Sequence, residues 1–283
     1  LSEWRIHINS GLKTGFNEAF IINKEKYDEL VRKDRKNKDI IMPILRGRDI
    51  GRYNINFSNL YLINTHNGFK RDSEIVPRIE INDYPVIKEY FDGFEPKLSA
   101  RSDKGATQYN MRNCAYLDIF NEEKLIYPEI SAGANFYYDK MSYYIEMTAF
   151  VITGEKIKYL LVMLNSKFLE FAFEKYYLGQ KISDSLRYKK VAINKLPVVY
   201  PTQEQEEYLT NLADKMLESK EILSKLNKLL ELAVKDKNYD MQLELKEKIE
   251  ELNEEILDTD YAINNYVYDM YGITAEEREL IEG

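Results

Sequence analysis

The spacing of apolar and polar positions divides this chain into two parts. In the first part, residues 3–8 and 59–64 alternate as strands do, and four segments rich in Tyr, Ile and Phe follow within 115–153. Residues 156–177 then carry apolar positions at helical spacing and predict one long amphipathic helix. A short strand over 195–201 is expected to close this part, which we interpret as a mainly antiparallel sheet with packed helices.

From Thr202 the apolar positions recur in steps of three and four residues, which predicts helices that share a heptad seam. A polar turn at 235–240 separates two such runs, so we expect an antiparallel helical hairpin. The seam positions are Leu209, Leu212, Met216, Ser219, Leu223, Leu226, Leu230 and Ala233, and then Leu245, Ile249, Leu252 and Ile256. A separate helix is expected over 261–272. The prediction is an α+β fold, with a sheet domain over 1–200 and a helical spacer over 201–283.

Charge follows the same division. The net charge of the chain is -8, yet residues 1–120 carry 20 Lys and Arg against 17 Asp and Glu, and residues 121–200 carry 11 against 9. Residues 201–283 carry 9 against 22. A mildly basic body with an acidic end is compatible with a nucleic-acid partner, which needs a cationic face to neutralise phosphates. An excess of this size is also common on ordinary surfaces, so both interpretations stay open.

The stretch RSDKGATQYNMR, residues 101–112, concentrates cationic and amide side chains, and we name it the polar loop. Arginine and lysine suit phosphates and the O6/N7 edge of guanine, while glutamine and asparagine suit adenine edges. Gly105 allows close approach of the backbone to a partner. The candidate DNA-contacting residues here are Arg101, Lys104, Gln108, Tyr109, Asn110 and Arg112. A solvated surface loop is the alternative.

Two further segments concentrate cations. RGRDIGRY, residues 46–53, is named the arginine turn and places Arg46, Arg48 and Arg52 around two glycines, which suits phosphate or base-edge contact. An internal arginine paired with Asp49 is the alternative. The second polar loop, residues 179–190, contributes as candidate contacts Arg187, Lys189 and Lys190.

Catalytic chemistry is sparse in the sequence. The two histidines stand alone, and a single cysteine excludes both an intrachain disulfide and a Cys/His metal cluster. No GxGxxG loop occurs, and because no two prolines are adjacent, the Asn/Asp-Pro-Pro-Tyr motif of amino-methyltransferases is absent. Asp83, Glu95 and Lys97 imitate the D…ExK pattern of metal-dependent nucleases, but on a predicted helix and its break. No apolar run is long enough for a membrane helix, and we expect a cytoplasmic protein.

The order of segments resembles the carboxy-terminal specificity region of type IIG restriction-modification enzymes and TaqI-type adenine DNA methyltransferases. The matching stretches span nearly the whole chain and are, in order, SGLKTGFNEAF, PILRGRDIGRY, KLSARSDKGATQYNMRNCAYLDIF, KLIYPEIS, KYLLVMLNSKFLEF, RYKKVAINKLPVVYPTQEQ and VYDMYGITAEEREL. The stretch NSKFLEF…KLPVVYPTQEQ with its following helices also resembles half of a type I specificity subunit. That subunit holds two such halves, whereas this chain has no internal repeat.

The resemblance implies a target recognition domain that reads double-stranded DNA in the major groove and carries no cofactor of its own. S-adenosylmethionine and magnesium are implied for the methyltransferase and nuclease domains of a full-length enzyme. Because the chain begins with Leu1 instead of methionine, we expect it to be the carboxy-terminal piece of a longer, monomeric protein. The alternatives from other classes are a coiled-coil interaction adaptor and a stand-alone metal-dependent nuclease.

Overall fold

Strands and helices alternate in the first two thirds of the chain, and helices make up the rest. The computed structural model describes residues 1–71, 74–177 and 184–283. The strands are β1 (Ile6–Ser10), β2 (Ile21–Asn23), β3 (Ile41–Leu45), β4 (Ile50–Gly51), β5 (Asn54–Ile55), β6 (Leu60–Ile63), β7 (Phe69–Arg71), β8 (Glu74–Val76), β9 (Lys124–Pro128), β10 (Ile130–Ser131), β11 (Tyr137–Asp139), β12 (Tyr144–Ile145), β13 (Ala149–Gly154) and β14 (Leu186–Arg187). The α-helices are α1 (Asn17–Phe20), α2 (Lys24–Lys33), α3 (Pro85–Asp92), α4 (Lys97–Ala100), α5 (Ile157–Asn165), α6 (Lys167–Ala172), α7 (Lys190–Ile193), α8 (Gln203–Lys235), α9 (Tyr239–Tyr271) and α10 (Ala275–Glu282). The α+β prediction is confirmed.

Two sheets carry the first part of the fold. One has the strand order β1-β13-β9-β11 and is antiparallel throughout; the other has the order β12-β3-β6-β2, in which β12 runs parallel to β3. Residues 146–148 join β12 of one sheet to β13 of the other. The strands face two apolar cores, and their predicted mainly antiparallel character is confirmed.

Several strands end or begin at one common edge of these sheets, which we name the strand-end edge. At the end of β1, Ser10 pairs with Phe150 near the start of β13, and at the end of β9, Pro128 pairs with Ala149. The last residue of β3, Leu45, pairs with Ile145 of β12. The loops that follow these strands are therefore neighbours in space although they lie far apart in sequence.

A hydrophobic core joins the first sheet to the helices that follow it. Helix α5 is buried on nearly every side between the sheet and α8, and Leu160, Met216 and Ile263 belong to the same apolar cluster. The base of the helical hairpin therefore shares a core with the sheet. The division into domains at residue 200 stays a prediction.

The helical hairpin is confirmed. Helices α8 and α9 pack along their length, and Asp236–Asn238 connects them. Thr202 begins α8 with a capping box to Gln205, and Gly272 ends α9 with a φ of 65°, a conformation that costs glycine little. The predicted seam positions are buried or half-buried. Among the described residues, no helix is both long and apolar enough to cross a membrane.

Four local predictions are wrong. Residues 117–121 form a 3-10 helix instead of a strand, and 195–201 form no strand. The long helix over 156–177 breaks at Ser166, whose extended backbone ends α5 and whose hydroxyl caps α6 by accepting from the N–H of Leu169. The expected separate helix over 261–272 is the last part of α9. In each case the apolar spacing indicated which positions face a core. Caps and turns decided where the backbone changes direction.

Candidate nucleic-acid interface

Arg101 lies inside the polar loop and not on its surface. Its side chain is only 7% exposed, and the guanidinium donates to the backbone carbonyls of Thr14, Asp103, Gln108 and Asn110, at 2.9 Å for Asp103 and 3.0 Å for Gln108. Burial lowers the pKa of Arg101 to about 10, so it is still protonated at neutral pH. Arg101 therefore holds the loop, and the direct DNA contact predicted from sequence would require these bonds to break.

Asn110 and Tyr109 are also engaged within the protein. Asn110 is 1% exposed; its amide donates to the carbonyl of Ile79 at 2.9 Å and accepts from the hydroxyl of Thr107 at 2.7 Å. The hydroxyl of Tyr109 donates to Asp92 at 2.6 Å, and this hydrogen bond raises the pKa of Tyr109. These residues tie the loop to the segment before α3 and to α3 itself, which is a different role from the predicted base contact.

Three of the predicted residues remain at the outer surface of the polar loop. Lys104 is exposed, although its ammonium donates to the carbonyl of Ser99 at 2.6 Å. Gln108 is half-buried, and Arg112 is exposed and lies 3.2 Å from the carboxylate of Asp103. The hydrogen bond from Lys13 to that carboxylate, with Arg112 nearby, lowers the pKa of Asp103. An exposed ion pair of this kind exchanges partners at little cost.

The arginine turn places its three arginines in three environments. Asp49 is buried and accepts from the backbone N–H of Arg46 at 2.8 Å, and Nε of Arg46 lies 3.4 Å from the same carboxylate. Arg48 is exposed and makes no hydrogen bond or ion pair within the described residues. Arg52 points toward the helical hairpin: it donates to the carbonyl of Asn165 at 2.8 Å and pairs with Asp260 of α9 at 2.6 Å.

The second polar loop is only partly described, because residues 179–183 lie outside the described ranges. Arg187, in β14, is exposed and pairs with Glu129 at 2.7 Å. Lys189 and Lys190 are exposed at the start of α7, where neither ammonium has a partner among the described residues.

The strand-end edge brings these segments together. The N–H of Leu12 donates to the carbonyl of Ile145, and the N–H of Gly11 donates to that of Ala149, which places Lys13 beside residues 146–148. Lys13 pairs with Asp103, which also pairs with Arg112. Thr148 then accepts from the N–H of Gly47 at 2.9 Å with its hydroxyl and from the N–H of Glu129 with its carbonyl. Glu129 in turn holds Arg187. Arg48, Arg112 and Arg187 therefore lie along one edge, whereas Arg52 faces the hairpin.

A cleft of about 290 Å³ opens at the same edge between the loop after β1 and residues 111–117, with His66 and Met147 in its walls. Burial is the main cause that lowers the pKa of His66, and burial likewise raises the pKa of Cys114. Lys13 also lines this cleft. Lys13 was not predicted as a contact residue from the sequence. Its position between Gly11 and Gly15 could have indicated it.

Asp83 and Lys97 of the D…ExK pattern lie on short separate elements. Asp83 lies in a 3-10 turn, and the Glu95 carboxylate accepts from the hydroxyl of Ser99 at 2.7 Å. Across the ranges that the structure describes, no group of three or more His, Cys, Asp or Glu side chains is arranged to hold a metal ion.

The family model for the TaqI-like C-terminal specificity domain matches residues 42–198, more than half of the chain. This chain belongs to that family, as its sequence resemblance predicted.

A solved structure shares the fold. It is the type IIL restriction-modification enzyme MmeI in complex with DNA, with a TM-score of 0.58 and 12% sequence identity. The match covers 97% of this chain and 34% of that one, so this chain spans about a third of its length. No curated protein matches.

Proposed function

We propose that this chain reads a specific sequence in double-stranded DNA as the target recognition domain of a type IIG restriction-modification enzyme or adenine DNA methyltransferase. Its membership of the specificity-domain family carries the proposal. In this proposal, S-adenosylmethionine and magnesium bind to methyltransferase and nuclease domains outside this chain. The whole enzyme is proposed to be cytoplasmic and monomeric.

The strand-end edge presents charged side chains that are suited to phosphates and base edges. Arg48, Lys189 and Lys190 have no ionic partner within the described residues and are suited to phosphates. Arg112 and Arg187 are exposed, and each presents a planar guanidinium beside a half-buried carboxylate. Guanidinium groups match guanine O6/N7, and carboxylates accept from cytosine N4, so these pairs are proposed to open onto base edges. Lys104 and Gln108 complete the proposed contact surface.

The buried part of the site explains how such a surface keeps its shape. Arg101 and Asn110 satisfy carbonyls that no helix or strand pairs, so the polar loop is held before DNA arrives. Asp49 helps to hold the arginine turn, because its carboxylate accepts from the backbone N–H of Arg46. Arg52 fixes that turn to α9. We include the hairpin in the proposal as a brace for the sheet domain.

The test is salt-dependent selection of this chain against a pool of random DNA duplexes, followed by sequencing of the retained molecules. The expected result is an asymmetric motif whose retention falls as salt rises. The triple variant Arg48→Ala, Lys189→Ala, Lys190→Ala is expected to bind all sequences more weakly, with a salt slope smaller by about one for each lost phosphate contact.

The matched control removes cations from the hairpin: Lys225→Ala, Lys228→Ala and Lys246→Ala, all exposed and distant in sequence from the edge. This control is expected to leave both the motif and the salt slope unchanged. Absence of retention at low salt, or equal losses in the two triple variants, would contradict the proposal.

A further inference from the structure

A small β-ribbon stands beside the polar loop and was not predicted from sequence. Strands β7 and β8 pair antiparallel, with Phe69 opposite Val76 and Lys70 opposite Ile75. Residues directly opposite each other share one face of a ribbon. The face with Phe69 and Val76 is half-buried, and Phe69 contacts the ring of His66 at a centroid distance of 5.1 Å. Lys70 and Ile75 therefore occupy the outward face.

Ile75 is unusually exposed for a large apolar side chain, at 82%. Its strand partner Lys70 is exposed and has no hydrogen bond or ion pair with any residue that the structure describes. An apolar side chain and an unpaired cation thus stand side by side on a projecting element. Neither side chain contributes to a core, so neither is explained by folding.

The ribbon and the polar loop are held as one unit. Asn67, which precedes the ribbon, accepts from the N–H of Ala106 at 2.7 Å and donates to Asn113. A Cβ at Gly105 would lie 2.5 Å from the Asn67 side chain, so this close approach requires glycine. Between the two elements lies an open groove of about 460 Å³, lined by Lys70, Ile75 and Ala106 among others.

The charges around this groove favour a polyanionic partner. In the described part of this face, the cations outnumber the carboxylates: Lys70, Arg71, Arg78, Lys104 and Arg112 stand against Glu74, Glu80 and Asp103. The carboxylates of Glu80 and Asp103 are already paired with Arg78 and Arg112. Glu74 lies directly opposite Arg71 in the ribbon, so Lys70 is the cation of the ribbon that remains available to an incoming anion.

We propose that this ribbon enters the major groove of duplex DNA, where Ile75 packs against a thymine methyl group and Lys70 contacts a neighbouring guanine edge. The inference rests on the proposed function and names a reading element for it. The major groove is wide enough for a two-stranded β-ribbon, and the C5-methyl of thymine is the apolar group exposed on its floor. A face that alternates an apolar and a cationic side chain matches that pattern of base edges.

The experiment compares the motifs selected from random duplexes by the unchanged chain, by Ile75→Ala and by Lys70→Ala. We expect Ile75→Ala to lose preference for thymine at one or two positions by about tenfold, and Lys70→Ala to relax a nearby guanine position similarly. The matched control is Leu257→Ala, which removes a side chain that is 66% exposed on α9. It is expected to select the original motif.

A second measurement isolates the methyl group. Deoxyuridine replaces thymidine at the sensitive position of the selected duplex, which deletes only the C5-methyl. The unchanged chain is expected to bind this duplex several-fold more weakly than the thymine duplex, whereas Ile75→Ala should not distinguish the two. Thermal unfolding of each variant verifies that folding is retained.

The outcomes distinguish the role of the ribbon from the proposed function. If the unchanged chain selects a motif and Ile75→Ala selects the same one, or if both respond equally to deoxyuridine, the ribbon is not a reading element while the proposed function stands. If the unchanged chain retains no duplex even at low salt, the proposed function fails and the role of the ribbon fails with it.

Discussion

The polar loop buries polar side chains, whereas the helical hairpin exposes apolar side chains at its tip. The loop is rich in cationic and amide side chains, yet it buries Arg101 and Asn110. The hairpin follows an apolar heptad, yet its tip exposes Leu232 (56%) and Leu243 (63%). Side-chain polarity alone therefore decided neither location.

Backbone hydrogen bonding explains the difference. A helix satisfies its own N–H and C=O groups, so the hairpin needs side chains only for packing. An irregular loop leaves carbonyls unpaired, and burying them requires donors from side chains. Arginine, with five N–H donors, meets that need at several carbonyls together. Stability should therefore be concentrated in a few polar residues of the loop and spread thinly over the hairpin tip.

The strongest test of this contrast is Arg101→Ala. It removes a side-chain donor from four backbone carbonyls, of which, among the described residues, only that of Asn110 keeps a second donor, the N–H of Gly105. It also removes a guanidinium stacked 4.4 Å from the Phe20 ring centroid. Because each buried acceptor left unsatisfied costs about 1–3 kcal/mol, we expect the free energy of unfolding to fall by roughly 3–4 kcal/mol. Urea denaturation measures this. The exposed Arg112→Ala is the control, with an expected loss within about 1 kcal/mol, and equal losses would remove the distinction.

The junction between the sheet and the hairpin comes next in size. Arg52 and Asp260 are partly shielded from solvent and form an ion pair 2.6 Å long. A double-mutant cycle with Arg52→Ala and Asp260→Ala is expected to give a coupling free energy of about 1–2 kcal/mol in denaturation experiments.

The same cycle on Lys215 and Glu255, an exposed pair between α8 and α9 at 3.2 Å, provides the comparison. Its expected coupling is below about 0.5 kcal/mol. If the two cycles give the same value, the brace does not depend on Arg52.

The third prediction concerns pH. Burial lowers the pKa of His66 in the folded state, and its Nδ1 accepts from the N–H of Gly68 at 3.2 Å. The unfolded chain, with a histidine pKa near 6.5, therefore binds the proton more readily. Stability attributable to neutral His66 is present above about pH 6.5 and is lost as pH falls through the lowered pKa.

Denaturation of the unchanged chain and of His66→Gln between pH 7.5 and 5.5 tests this. The difference in free energy of unfolding between the two is expected to shrink at lower pH, by at most about 1.4 kcal/mol for each unit of pKa shift. A difference that stays constant over this range would show that His66 does not titrate as its burial requires.

The smallest effect is expected at the hairpin tip. Leu232→Ser should change the free energy of unfolding by no more than about 0.5 kcal/mol, because the side chain is already largely in water. Met216→Ala, at the buried base of the same helix, is the contrasting variant and should cost about 2–4 kcal/mol. A large loss at Leu232 would mean that the tip makes contacts that its exposure does not indicate.

Periodicity predicted the elements well where one face of a regular element is buried. The hairpin seam, β6 and the sheet strands from β9 to β13 lie close to their expected places. It failed at Ser166 and at 117–121, because a single side-chain cap or a tight turn redirects the backbone without changing which residues are apolar. The ribbon of β7 and β8 was missed since strands of three residues carry too few alternations to be recognised.

The fold class, the hairpin and the family could be predicted from the sequence, because these depend on patterns that extend over many residues. Which cations are available to a partner could be known only from the folded chain. Arg48 and Arg52 are similar in sequence context, yet one points to solvent and the other to α9. The direction of a side chain depends on which carbonyls and carboxylates other segments bring beside it, and those neighbours lie up to 208 positions away along the chain.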